Sequence, residues 1–70
     1  IYPNPTGGPL IVLIPNILVG TNAILSDVGG RTISIIKLSN NSNLINLGNV
    51  ASDVYFLKFA DGNVREIIRQ

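Results

Sequence analysis

Few side chains in this chain could do chemistry. The carboxylates are Asp27, Asp53, Asp61 and Glu66, and no histidine or cysteine accompanies them. Two facing carboxylates could divide acid and base roles between them. Nucleophile–base pairs built on histidine or cysteine are out of reach. Asp27 and Asp61 both adjoin glycine-containing turn sequences, so they read as solvated hairpin ends rather than parts of an enclosing cleft. The chain is expected to be non-enzymatic and to carry no cofactor or metal. Asp61-Gly62-Asn63 looks like a fragment of an oxygen-rich calcium loop, but it lacks the alternating ligands and later glutamate such a loop needs. Gly29-Gly30-Arg31 could cradle an anion, yet no helix follows to add its dipole, so it reads as a tight turn. Asn40-Asn41-Ser42 matches a glycosylation acceptor.

Binding classes narrow in the same way. Sugar faces stack on exposed rings, and the only rings are Tyr2, Tyr55, Phe56 and Phe59. Tyr55 and Phe59 share one strand face, which leaves Phe56 as the candidate for exposure. The basic residues Arg31, Lys37, Lys58, Arg65 and Arg69 are scattered and the net charge is +1. Nucleic acid would call for a basic stripe, so no nucleic-acid partner is expected. The most apolar stretch, PLIVLIPNILVG (Pro9–Gly20), is broken by Pro15 and Asn16. It is shorter than the roughly 20 residues of a spanning helix, so no transmembrane segment is expected.

The elements that must position these residues are strands. Isoleucine, valine and leucine dominate, and turn residues recur at the spacing of an all-β sandwich or barrel. Apolar runs lie at Leu10–Ile14, Asn22–Val28, Thr32–Leu38, Val54–Ala60 and Val64–Ile68. Shorter ones lie at Leu44–Leu47 and at Ile17–Val19, the last a strand or part of a turn. Ala23 and Leu25 share a face, as do Tyr55, Leu57 and Phe59. In Thr32–Leu38, Ile33 and Ile35 alternate with Thr32 and Ser34, and Ile35-Ile36 then breaks the period as a bulge does. Val28–Arg31 and Ala60–Asn63 read as type I′ or II′ hairpin turns, and Leu38–Asn43 as a polar loop. The expectation is one domain, 1–70, forming a compact immunoglobulin-like antiparallel β-sandwich of about seven short strands. A start at Ile1 rather than methionine reads as a domain cut from a larger polypeptide, or as a processed product. Apolar sheet edges make self-association an expectation too.

YPNPTGG (Tyr2–Gly8), LSDVGGR (Leu25–Arg31), INLGNVASDVYFLKF (Ile45–Phe59) and VREIIRQ (Val64–Gln70) follow one another along the whole chain. In this order they resemble the type A C-terminal sorting domain of type IX (Por) secretion substrates. The resemblance implies a targeting signal of Bacteroidota that directs a fused N-terminal passenger from the periplasm across the outer membrane. It also implies partners in the type IX machinery and a sortase-like peptidase that removes the domain, with the passenger released or attached at the cell surface. The matching positions are Tyr2, Pro3, Asn4, Pro5, Gly8, Asp27, Gly30, Arg31, Tyr55 and Leu57. The export signal is implied in the last strand, at Arg65, Ile67, Ile68 and Arg69, read either as a solvated face or as a recognition edge with unpaired backbone. The prolines read as a stiff entry that cannot extend a sheet, with Asn4 closing a local turn and Tyr2 packing on the sandwich edge. Asp53 stands where the family has glycine, and aspartate tolerates positive φ better than most residues. The alternative reading is an immunoglobulin-like accessory module that binds glycan or packs on a catalytic domain.

Overall fold

The computed structural model describes all residues, Ile1–Gln70. Period-2 alternation of apolar residues directs the strands, because side chains on a strand point to opposite faces in turn. Strand β1 (Pro9–Leu13) turns Leu10 and Val12 inward, and a 3₁₀ turn at Asn16–Leu18 follows. Then come β2 (Asn22–Asp27), β3 (Thr32–Lys37), β4 (Ser42–Asn46), β5 (Asp53–Lys58) and β6 (Val64–Arg69). β1 and β4 form a two-stranded antiparallel sheet, and β3-β2-β5-β6 form a four-stranded antiparallel one. The sheets enclose a core that includes Leu10, Val12, Leu25, Leu47, Tyr55, Leu57 and Ile67. Each such side chain contributes about 1.5–3 kcal/mol by leaving water.

The all-β, two-sheet expectation agrees with this architecture. Six ladder strands are joined by an extended N-terminal segment that bridges to both sheets, at Tyr2–Ile11 and Thr6–Arg69. Ile17–Val19 belongs to the 3₁₀ turn and its end, because Pro15 sets the turn and Leu18 alone dips into the core.

Two details differ from the sequence reading. The bulge lies at Ile33, not at Ile35-Ile36: Leu25 faces Ser34 while Ser26 faces Thr32, so Ile33 is the unpaired extra residue. Beyond it the face changes, and Ile36 and Leu38 point inward while Ile35 points out to solvent. Both hairpin turns are three-residue loops of a type I turn followed by one left-handed residue, rather than type I′ or II′. Gly30 donates to the Asp27 carbonyl and Asp27 to the Arg31 carbonyl; Gly62 and Phe59 repeat this with Phe59 and Asn63. Only Gly30 (φ +83°) and Gly62 (φ +90°) take positive φ there, which is why each loop requires a single glycine.

Candidate functional site

The N-terminal segment and the last strand, the two parts of the family resemblance richest in candidate residues, meet in space. Tyr2 exchanges both backbone bonds with Ile11, at 3.0 and 2.7 Å, along the outer margin of β1. Four residues on, Thr6 N–H donates to the Ile68 carbonyl (2.8 Å) and the Thr6 carbonyl accepts from Gln70 (2.9 Å), along the outer margin of β6. Between them the Asn4 side chain substitutes for a peptide unit. Its Nδ2 donates to the Glu66 carbonyl at 2.8 Å, and its Oδ1 accepts the Ile68 N–H at 2.9 Å. An amide side chain offers the donor and acceptor that a strand neighbour would offer. Asn4 therefore makes a long-range contact, not the expected local turn. The segment also pairs with both sheets, contrary to the expectation of a non-pairing entry. Pro3 and Pro5, which lack a donor, alternate with the residues that bond.

Thr6, which sequence reasoning passed over, is fully buried. Its hydroxyl donates to the Pro9 carbonyl and accepts from Gly8 N–H at 3.1 Å. A buried polar group so paired fixes the turn into β1. Gly8 is buried at φ +148°, and a side chain there would meet Gly48. The only sequence signal for Thr6 was a lone hydroxyl between a proline and two glycines.

The implied export residues separate into different environments. Ile67 is completely buried, and Arg69 is half-buried, its Nε donating to the Leu47 carbonyl at 3.0 Å and its Nη1 to the Gln70 carbonyl. Arg65 and Ile68 are exposed. Arg65 borders a shallow pocket with Ile1, Leu13, Phe59 and Asp61. The recognition-edge reading needs correction over much of its length. From the Glu66 carbonyl to the Gln70 N–H the outward backbone at β6 is bonded to Asn4 and Thr6. What remains accessible is chiefly side chain: Val64, Glu66 and Ile68, with the half-buried Val54 and Phe56 on the adjacent strand. Phe56, expected to be exposed, is half-buried, and Tyr2 is half exposed.

The remaining motif positions support local geometry. Asp27 Oδ1 accepts from Gly29 N–H (3.0 Å) and Arg31 N–H (2.9 Å), and Oδ2 pairs with Arg31 Nε at 3.2 Å. The Arg31 backbone N–H is the main cause holding the Asp27 carboxyl below its usual value, aided by Gly29 N–H and the Arg31 charge and opposed by desolvation. The turn's amide at Gly29 thus faces the chain's own carboxylate instead of an external anion. Asp61 does the same for Asn63, accepting its N–H at 3.0 Å and its Nδ2 at 2.9 Å. Tyr55 and Leu57 are core residues, and the Tyr55 hydroxyl donates to the Ala51 carbonyl at 2.6 Å. Asp53 needs no positive φ: it begins β5 and its Oδ1 accepts from Val54 N–H at 2.7 Å. Asn40 is exposed in the loop before β4. No helix is long and apolar enough to cross a membrane.

No curated protein and no solved structure matches the chain. A family model described as "Secretion system C-terminal sorting domain" matches residues 1–70, its whole length. Such domains are sorting signals of type IX secretion, which implies export across the outer membrane to the cell surface or beyond. With an all-β sandwich whose first and last segments interlock, and a match from Ile1 to Gln70, the chain belongs to the family of secretion system C-terminal sorting domains.

Proposed function

We propose that this domain is a non-catalytic address that the type IX machinery reads as an assembled sandwich, not as a free terminal peptide. The observation that carries this is the placement of the last strand. Ile67 is buried in the core, out of a partner's reach while the fold is intact, and Arg69 is half-buried with its Nε tied to the Leu47 carbonyl. The accessible positions on that strand are Arg65 and Ile68, beside Val64 and Glu66. In this reading the domain is carried behind an N-terminal passenger, and a sortase-like peptidase removes it after export, releasing the passenger or joining it to the surface.

The test is a fusion of the chain to the C-terminus of a secreted fluorescent reporter, in a Bacteroidota strain with a working type IX system and in a matched strain without one. The expected result is reporter at the surface or in the medium of the competent strain alone. Within it, Arg65→Ala, at an exposed site, should lower export while leaving the melting temperature within a few degrees, since such substitutions change stability by only about 0.5 kcal/mol. Ile67→Ala should lower export in parallel with stability. Periplasmic reporter in both strains, or undiminished export of a variant shown to be unfolded, overturns the proposal.

A further inference from the structure

The two sheets are unequal, and the inequality leaves a space one strand wide. β3 is a margin of the four-stranded sheet. On its inner face Ser34 is exposed and Ile33 and Ile36 are half-buried, while Ala23 and Leu25 on neighbouring β2 are buried. β4 does not extend far enough to cover β3. A groove of about 280 Å³ separates them, bordered by Ile33, Ser34, Ile36, Ile45, Leu47 and Val50, and no charged residue lines it.

The backbone beside the groove is free. Ile14 N–H to the Asn41 carbonyl and Leu47 N–H to the Gly8 carbonyl mark the two ends of the β1–β4 ladder. Antiparallel alternation then directs Ser42, Leu44 and Asn46 away from β1, toward the side where no strand pairs. The other margins are guarded. β1 is covered by Tyr2 and β6 by Asn4 and Thr6, while β3 carries Lys37 and the bulge at Ile33. β4 has neither charge nor proline, the common protections of an edge.

We propose that this open margin is a strand-addition site for an extended, uncharged segment of a partner protein. The segment bonds to Ser42, Leu44 and Asn46 as a third strand of the small sheet. Its apolar side chains, at alternate positions, enter the groove over Ile33 and Ile36. Backbone bonds supply affinity in such additions, and the alternate pockets supply selectivity. Paired strands lie about 4.8 Å apart and stacked sheets about 10 Å apart, so the inner face of β3 accommodates one added strand above it. Antiparallel pairing of β4 with β4 of a second copy would bring that copy's large sheet into the layer that β3 occupies, so the space suits a single extended segment better than a second sandwich. Charged inward residues are selected against, since the groove would strip their water and offer no partner.

The test is amide and methyl NMR of the isotope-labelled chain titrated with a capped peptide, Thr-Val-Thr-Val-Thr flanked by lysines for solubility. Saturable shifts are expected at the Ser42, Leu44 and Asn46 amides and the Ile33 and Ile36 methyls, with Glu66 and Ile68 unmoved. Replacing both valines by aspartate should weaken binding at least about tenfold. Ser34→Lys, at an exposed position, should do the same in a chain that keeps its folded spectrum. Leu44→Pro should abolish binding, because it removes an outward N–H and spares the ladder to β1. The proposal is overturned by the absence of saturable shifts up to millimolar peptide, by equal binding of the aspartate peptide, or by unaltered binding to folded Ser34→Lys. Shifts at β6 in place of β4 overturn it too, as do shifts that depend on protein concentration alone, which would make a second copy the occupant.

Discussion

The two long sides of this sandwich are built from similar strands and end differently. On one side, between β1 and β6, a short N-terminal segment crosses from sheet to sheet and bonds to both: Tyr2 to Ile11, then Asn4 and Thr6 to β6. On the other side, between β3 and β4, only the loop Leu38–Asn41 joins the sheets, at one end; no segment bonds along the two margins, and Ser34 on an inner face stays exposed. A strand margin is a row of unpaired donors and acceptors, which a protein must cover, charge or use. This chain covers the margin next to its last strand and leaves the opposite one available. The last strand is thereby held in a folded setting.

Substitutions can test the contrast. The largest effect is expected beneath the sealed side. Ile67→Ala leaves a cavity in the core and should cost about 2–5 kcal/mol. Ile36→Ala, half-buried at the open side, should cost less than half of that, and denaturant midpoints of the two variants decide the order. Equal losses would mean the open side is packed as tightly as the sealed one.

Thr6→Val comes next, at about 1–3 kcal/mol, because it leaves the buried Gly8 N–H and Pro9 carbonyl without their partner. Chemical denaturation measures it, and a variant as stable as the parent would remove Thr6 from the account. Asn4→Ala should cost about 1 kcal/mol. Its sharper readout is hydrogen exchange: Ile68 N–H should lose protection while Leu57 keeps it. Unchanged exchange at Ile68 would mean that Thr6 alone holds the margin.

The smallest effect is at Asp27, in an exposed turn. Its carboxyl is held below its usual value by the Arg31 and Gly29 N–H groups. A depressed carboxyl gives stability that is complete above the unfolded-state value, near 3.8, and is lost as pH falls through the folded-state value. Asp27→Asn should therefore lower neutral stability slightly and flatten the acid limb below about pH 4 by the same amount, so that the two curves converge at low pH. An acid limb of unaltered slope would remove the Asp27 turn as a source of pH dependence.

Much of the fold was legible because the relevant signals are local. Alternation at Ala23 and Leu25, and at Tyr55, Leu57 and Phe59, identified inward faces that are buried. Gly30 and Gly62 marked both hairpins, although the number of loop residues was not readable. The Asp27 side chain reaches two residues onward, to Gly29, as well as to Arg31, and it converts what would be a two-glycine turn into one with a single left-handed residue. The bulge was misplaced for a related reason. The run Ile33 to Ile36 is apolar on both faces, and only pairing with β2 decides which residue is extra. The candidate recognition residues were found as types and positions, but their availability was not. Ile67 and Ile68 are neighbours in sequence and opposites in exposure.

The sequence by itself determined that this chain is all β, where its strands run, which face of most of them is apolar, and which family it resembles. These follow from a two-residue period and from short ordered motifs, properties that each segment carries alone. Tertiary structure decided which strand margins are covered. The decisive contacts join Asn4 to Glu66 and Ile68, 62 and 64 residues away. A hydrogen bond between such distant residues depends on how all the intervening strands stack, and no local pattern encodes it.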